Sequence, residues 1–347
     1  MFAYIGRRLL LLVPTIMGIV LVCFTVMQFV PGGPVELAVQ ALRGQHASEG
    51  GGGGGASARN ILRPEQIEDL KKLYGFDQPL DQRLFNTVKS LFTFNFGESF
   101  NYHQNVVELI QERLPVSLTL GIPSLFLTYL LCIPLGIAKA RRPWSRFDTS
   151  TTVALMVSSS VPSFVIGILL LVLFGGGSFW SWFPIRGLTS DNYESLTAVG
   201  KFTDYLWHMA LPVLTYTFSG FAGLTLLTRN WFLDELQQLY VQTAMAKGAS
   251  EKTILYKHVF RNAMILVISG FPAACFSVFF AGSIFVEQIF SLNGIGLLTW
   301  ESTTRRDYPV VLGMLFITSL LGLLLKIISD ILLVIVDPRI NLEAKNR

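Results

Sequence analysis

Six stretches of this chain run for more than twenty residues with at most two charged side chains. They are Leu9–Val30, Val116–Ala138, Thr151–Phe174, His208–Thr228, Ala263–Phe290 and Pro309–Val336. A helix rises about 1.5 Å per residue, so each can cross a hydrocarbon core of about 30 Å. The last two are long enough to tilt or to run past the membrane surface. Pro14, Pro123, Pro134, Pro162, Pro212 and Pro272 fall inside the stretches. A packed bundle tolerates the kinks they impose. The pattern predicts an all-α integral membrane protein with six transmembrane helices.

Composition agrees. Hydrophobic residues make up 51% and charged residues 14% of the chain, against about 25% charged in soluble domains. So few charges cannot cover a soluble surface of this size, and mean hydropathy is +0.51. Cys23, Cys132 and Cys275 all lie in apolar runs, as packing residues rather than redox or metal groups. A net charge of +4 is too small to point to nucleic acid.

The placement of charge matters more than its total. With both termini in the cytoplasm, the inner segments collect fourteen Lys and Arg, among them Arg7, Arg8, Lys139, Arg141, Arg229 and Lys247. The short outer loops Gly175–Trp207 and Ser291–Tyr308 hold only Arg186, Lys201, Arg305 and Arg306. The positive-inside rule selects that orientation. The first apolar stretch is too long for a signal peptide and lacks a small-residue cleavage site, which predicts an uncleaved first helix.

The chain then divides into a first helix (1–30), an extracytoplasmic segment (31–115), a five-helix core (116–336) and a cytoplasmic tail (337–347). Within the outer segment, 43–60 includes the run Gly50–Gly55, a flexible insert. Pro64–Leu73 opens a helical pattern that ends at Gly75.

Catalytic chemistry is hard to find. His46, His103, His208 and His258 are scattered, and no zinc-protease, nucleophile-elbow or C-x-x-C pattern occurs. Without a Walker lysine motif the chain has no phosphate loop of its own. Ser158-Ser159-Ser160 before Pro162 fits helix packing through small residues better than a nucleophile. No catalytic residue, metal site or substrate-contact residue is assigned. In the last span Lys326 and Asp330 lie four residues apart on one helix face. They are expected to pair toward the bundle, which offsets the expense of a charge in the membrane. A proton relay is the alternative.

The interior segment 229–261 is polar yet patterned. Asp234 through Lys247 reads as one helix, Gly248 as the residue after its C-terminus, and Ser250 as the next N-cap with Glu251 in the first turn. Ile254, Leu255, Val259 and Phe260 make an apolar face on a second helix. Such a protrusion could dock into a partner's groove or lie on lipid.

Here the residues resemble a known family. Tyr240-Val241-Gln242-Thr243-Ala244-Met245-Ala246-Lys247-Gly248-Ala249-Ser250 looks like the EAA loop of binding-protein-dependent ABC importers, in its dipeptide and oligopeptide permease form. His258 to Ala263 resembles the loop's exit, and Met245 stands where the family usually has a basic or small residue. Glu287 through Gly296 resembles the family's E-x-x-F-x-x-x-G-x-G signature, with Glu287, Gly294 and Gly296 in place. Asp307, Asp330 and Asp337 fall in further matching segments. Phe179–Leu188 and Phe218–Phe221 are most similar to the Yej-type branch of these peptide permeases. The glycine insert is not part of the pattern.

The resemblance implies the type I ABC importer architecture. It implies a permease subunit, not an enzyme, that carries peptides inward across a bacterial inner membrane. The chain itself would need no cofactor, since ATP and Mg belong to a partner ATPase. Other implied partners are a second permease subunit and an extracytoplasmic peptide-binding protein. The loop residues Ala244, Lys247, Gly248, Ala249, Ser250, Glu251, Ile254 and Leu255 would couple to the ATPase. A proton-coupled secondary transporter of small solutes is the competing reading.

Overall fold

A computed structural model of the chain describes residues 2–29, 68, 77–176, 179–280 and 284–336. The insert Gly50–Gly55, Asp337 and all of the expected Pro64–Leu73 helix except helical Glu68 lie outside the described residues. Among the described residues the structure is helical, with a single isolated bridge between Glu98 and Asn105.

The helices are α1 (Phe2–Phe29), α2 (Leu80–Phe92), α3 (Val106–Arg141), α4 (Arg146–Ser160), α5 (Ser163–Phe174) and α6 (Ala198–Leu236). They continue with α7 (Leu239–Ala246), α8 (Glu251–Thr253), a π-helical stretch (Ile254–Val259) and α9 (Phe260–Phe280). The last are α10 (Ile284–Ile289), α11 (Ile295–Thr304) and α12 (Tyr308–Val336). Among the described residues five segments are long and apolar enough to cross a membrane, or six when the bent pair α4–α5 is counted as one span. This is the all-α membrane architecture expected from the hydrophobic pattern.

One of the six expected stretches differs in form. Thr151–Phe174 is not one straight span, because α4 and α5 meet at 94°. Pro162 has no N–H to give, and it holds Val161 in an extended conformation (φ −91°, ψ 123°). Of the stretch Ala263–Phe290, the described residues place 263–280 in α9 and Glu287 in α10, and 281–283 lie outside the described residues.

The described helices form two compact units. One comprises Met1–Ile5, Glu112–Leu298 and Leu321–Arg347, the other Gly6–Gln111 and Thr299–Leu320. Packing thus groups 6–111 with a segment that follows it by almost two hundred residues, whereas the division read from sequence follows chain order.

In the first unit α3 and α6 approach closely. A Cβ on Gly136 would lie 2.7 Å from the Thr228 Cβ and 2.9 Å from the Thr225 carbonyl oxygen. The Cys132 thiol donates to the Phe221 carbonyl at 3.2 Å. Small residues at such a contact let backbones meet where lipid offers no hydrophobic drive.

In the second unit Phe92, Phe94 and Phe96 gather around Phe316, with ring centroids 5.5–6.0 Å away. Beside them Asp307 is fully buried. Its carboxylate accepts from the Ser99 hydroxyl, the Phe100 and Asn101 amides and the Asn101 side chain. The family-motif residue Asp307 thus ties the 99–101 loop to the start of α12.

Candidate functional site

The loop between α6 and α9 is built by local backbone rules. Asp234–Leu236 close α6, so the helix expected from Asp234 to Lys247 is in fact two, separated at Gln237–Gln238. Gln238 is extended (ψ 148°) and α7 then runs only to Ala246. Its end is a Schellman turn: the Ala249 amide donates to the Ala244 carbonyl at 3.1 Å and the Gly248 amide to that of Met245 at 2.9 Å. Gly248 has φ +79°, and nothing lies within 4 Å of a Cβ built on it. The site demands a left-handed residue and leaves ample space. Ser250 caps the next helix, its hydroxyl accepting from the Thr253 amide at 3.3 Å, with Glu251 in the first turn. The glycine turn and the serine cap stand where the sequence places them.

The apolar face does not. Ile254 and Leu255 are only 4% and 3% exposed. They pack with Val241, Val259 and Ala263 against Ile137, Ala140 and Phe232 of α3 and α6. The expected docking face at these two positions is instead the core that seats the loop on the bundle. The reason is continuity: the second helix is not a free protrusion, since Glu251 runs through the π-helical stretch into the membrane-crossing α9. Side chains left exposed on the loop include Leu239, Tyr240, Met245 and Tyr256, together with Lys247, Ser250 and Glu251. Ala244 and Ala249 are half-buried.

Polar contacts reinforce the seating. The Tyr240 hydroxyl donates to Glu235 at the end of α6, and the Asn262 amide reaches both Glu235 (3.0 Å) and the Tyr240 oxygen (3.1 Å). Burial, aided by the Glu235 carboxylate, pushes the Tyr240 phenol up to about 12, so it stays a donor at any physiological pH. Arg141 pairs with Glu251 at 3.1 Å, an exposed contact worth little by itself.

Beneath the loop lies an ionic node that sequence reading missed. Lys139, near the end of α3, is fully buried. Its ammonium donates to the Thr151 and Thr152 hydroxyls and the Asp148 carbonyl, 2.7–2.9 Å away, and lies 3.2 Å from the Asp148 carboxylate. Asp148 in turn accepts from Arg229 Nε at 2.7 Å and from the Trp144 amide at 3.0 Å. One carboxylate thus joins α3, α4 and α6. In the sequence Lys139 and Arg229 read only as inner basic residues that set topology. Nothing local marks them as partners of an aspartate nine and eighty-one positions away.

A second carboxylate organises the loop after α10. Glu287 is fully buried, accepts from the Ser117 hydroxyl at 3.0 Å and caps α11 through the Leu297 amide at 2.7 Å. A Cβ on Gly294 would lie 2.3 Å from its Oε1. The structure thus brings together Glu287 and Gly294, with Gly296 in the same α11 first turn, as a supporting element.

Lys326 and Asp330 do lie side by side, 4.0 Å apart. Yet the Lys326 side chain is 65% exposed and only Asp330 turns inward, where it accepts from Tyr4 at 3.3 Å. The expected pair facing the bundle is therefore half right. Tyr4 stands at the start of α1, which puts Asp330 near a helix end rather than at a helix centre. There a long lysine stem can carry its charge outward.

Comparison with known proteins decides what this architecture belongs to. Residues 132–342 match the family model described as "Binding-protein-dependent transport system inner membrane component". The chain belongs to this family. It is 48% identical over 364 residues to the "Inner membrane ABC transporter permease protein YejB" of Escherichia coli O157:H7, covering 99% of this chain and all of that protein. It is also 48% identical to the "Peptidoglycan transport system permease protein YejB" of Agrobacterium fabrum, over the full length of both. The "Oligopeptide transport system permease protein AppB" of Bacillus subtilis is 34% identical over 98% of this chain and all of its own length. The protein is an ABC-type permease subunit with the type I importer membrane fold, and the proton-coupled alternative gives way to it. All eight loop residues read from the sequence lie inside the matched region.

Proposed function

We propose that this permease carries peptides inward, in a complex with a second permease subunit, cytoplasmic ATPase subunits and an extracytoplasmic binding protein. Both termini face the cytoplasm in this reading, as the basic residues require, and ATP with Mg acts on the partner alone. The observation that carries the proposal is the α7–Gly248–Ser250 turn, a stiff protrusion seated on a core shared by α3, α6 and α9. Closure of the ATPases would move the loop, and the loop would move these helices as one body. The bundle then switches between two states whose balance ATP and loaded binding protein bias. Ala244, Lys247, Gly248, Ala249, Ser250 and Glu251 form the contact surface, with Leu239, Met245 and Tyr256 as its exposed apolar part. Ile254 and Leu255 act from below as its support.

Two kinds of peptide fit the relatives. The Bacillus subtilis protein is named for oligopeptides and the Agrobacterium fabrum protein for peptidoglycan. Peptides released from the cell wall satisfy both. Proteoliposomes holding the complete complex test the reading. Uptake of a labelled tripeptide should need ATP and vanish when the ATPase carries an inactive Walker lysine. Uptake driven by a proton gradient without ATP would overturn it. Competition by a muropeptide separates the two substrates.

A further inference from the structure

The first unit holds a cavity of about 340 Å³ between α3, α5, α6, α9 and α10. Its polar lining consists of hydroxyls: Ser124, Thr128, Ser163, Tyr216, Ser219 and Ser277. None of the described residues that line it is charged. The bend between α4 and α5 helps form it, because Ser163 is the first residue after that break. Gly220 and Ala274 keep its walls low on the α6 and α9 sides.

The hydroxyls are not chemically alike. Ser124, Thr128 and Ser277 each give their proton to a carbonyl of their own helix, at 2.7–2.8 Å. Their oxygens remain free to accept, so they suit the N–H groups of a guest. The Ser163 and Ser219 hydroxyls make no hydrogen bond among the described residues and can both donate and accept. An uncharged wall of this kind matches a peptide main chain, whose N–H and C=O groups recur whatever the side chains are. A charged wall would select by side chain and would hold an oppositely charged peptide too tightly to release it.

The geometry points to this cavity as a main-chain contact site for peptide in transit, with Ser163, Ser219 and Ser277 as its polar contacts. The inference rests on the reading of the protein as a peptide permease, and it names the path within that reading. The competing occupant is a transmembrane helix of the second permease, which small and hydroxyl residues would also seat.

A tripeptide carrying photo-leucine tests the site in the complete complex, loaded through the binding protein and trapped with vanadate. After irradiation, adducts should map to residues 216–224 and 274–277, with none at exposed Val157 outside the cavity. Adducts confined to other segments, in a complex that imports the same tripeptide, would overturn the site and leave the peptide reading intact. A complex that imports no peptide would fail the reading itself.

Filling the cavity supplies the second arm. Ser219→Leu and Ser277→Leu should lower uptake at least tenfold, while ATP hydrolysis stimulated by loaded binding protein stays within twofold of wild type. Unchanged uptake would overturn the proposal. Should either variant fail to assemble, Ser219→Ala and Ser277→Ala, which remove only the hydroxyl, should still lower uptake severalfold, and normal uptake there counts against the site. Finally, Ser277→Cys carrying a photoreactive thiol label that crosslinks to the second permease in every state would show a helix seated in the cavity and exclude peptide.

Discussion

Gly248 and Gly294 are both motif glycines, yet opposite physics requires each. At Gly248 the backbone is left-handed (φ +79°) and the surrounding space is empty. At Gly294 the obstacle is volume, since a Cβ would fall 2.3 Å from the buried Glu287 carboxylate. The first glycine shapes an exposed turn that a partner can read. The second lets a carboxyl side chain fold back and cap a helix inside the protein. A motif match alone does not say which kind of constraint a glycine meets.

The largest effect should come from the support under the exposed turn. Asp148→Ala strands Lys139, and breaking a buried pair typically costs about 3–5 kcal/mol. If the loop is seated as described, the purified complex should lose thermal stability and its ATPase subunits together. Wild-type stability in that variant would mean the node carries no load.

Gly294→Ala comes next, at about 1–3 kcal/mol for overpacking. The partner variant sharpens the result: in a Glu287→Ala background the added methyl has room, so the two changes should cost less together than their sum. Strict additivity in thermal unfolding would show that the carboxylate is not the obstacle.

Gly248→Ala should cost less for folding, about 1–2 kcal/mol for a side chain in the left-handed region. Its functional effect should be larger. Insertion stays normal, but copurification of the ATPase weakens and ATP turnover loses its response to loaded binding protein. Gly248→Asn should recover much of that response, because asparagine tolerates this conformation. Equal damage from alanine and asparagine would point to space rather than backbone.

The smallest change is Tyr240→Phe, which removes one hydrogen bond, about 1 kcal/mol. The phenol is raised from 10 to about 12 by burial and by Glu235. Its neutral form is thus the one the fold favours. That contribution is complete below pH 10 and is lost as pH rises through about 12. Coupling should therefore be flat between pH 6 and 9 in the wild type, and equally flat but lower in Tyr240→Phe. A titration in that window that disappears with the hydroxyl would contradict the assignment.

Much of the protein was legible without coordinates. Apolar runs longer than the bilayer is thick leave helices as the economical solution, because backbone groups find no water there. The Gly248 turn and the Ser250 cap were equally plain, since both depend on neighbours within a few residues. Three features needed the tertiary structure. Ile254 and Leu255 read as a free apolar face, and only the contact with α3 and α6 shows that the bundle itself uses it. Asp148 carries no local mark of its role, and only folding sets it between Lys139 and Arg229. The hydroxyl cavity draws its walls from five helices and has no signature on any one of them. Periodicity and turn chemistry are short-range, so the sequence alone determines the apolar spans and the loop's turn. Which apolar face is covered, which charges meet and where a cavity opens depend on distances between segments far apart in the chain, and only the packed bundle decides those.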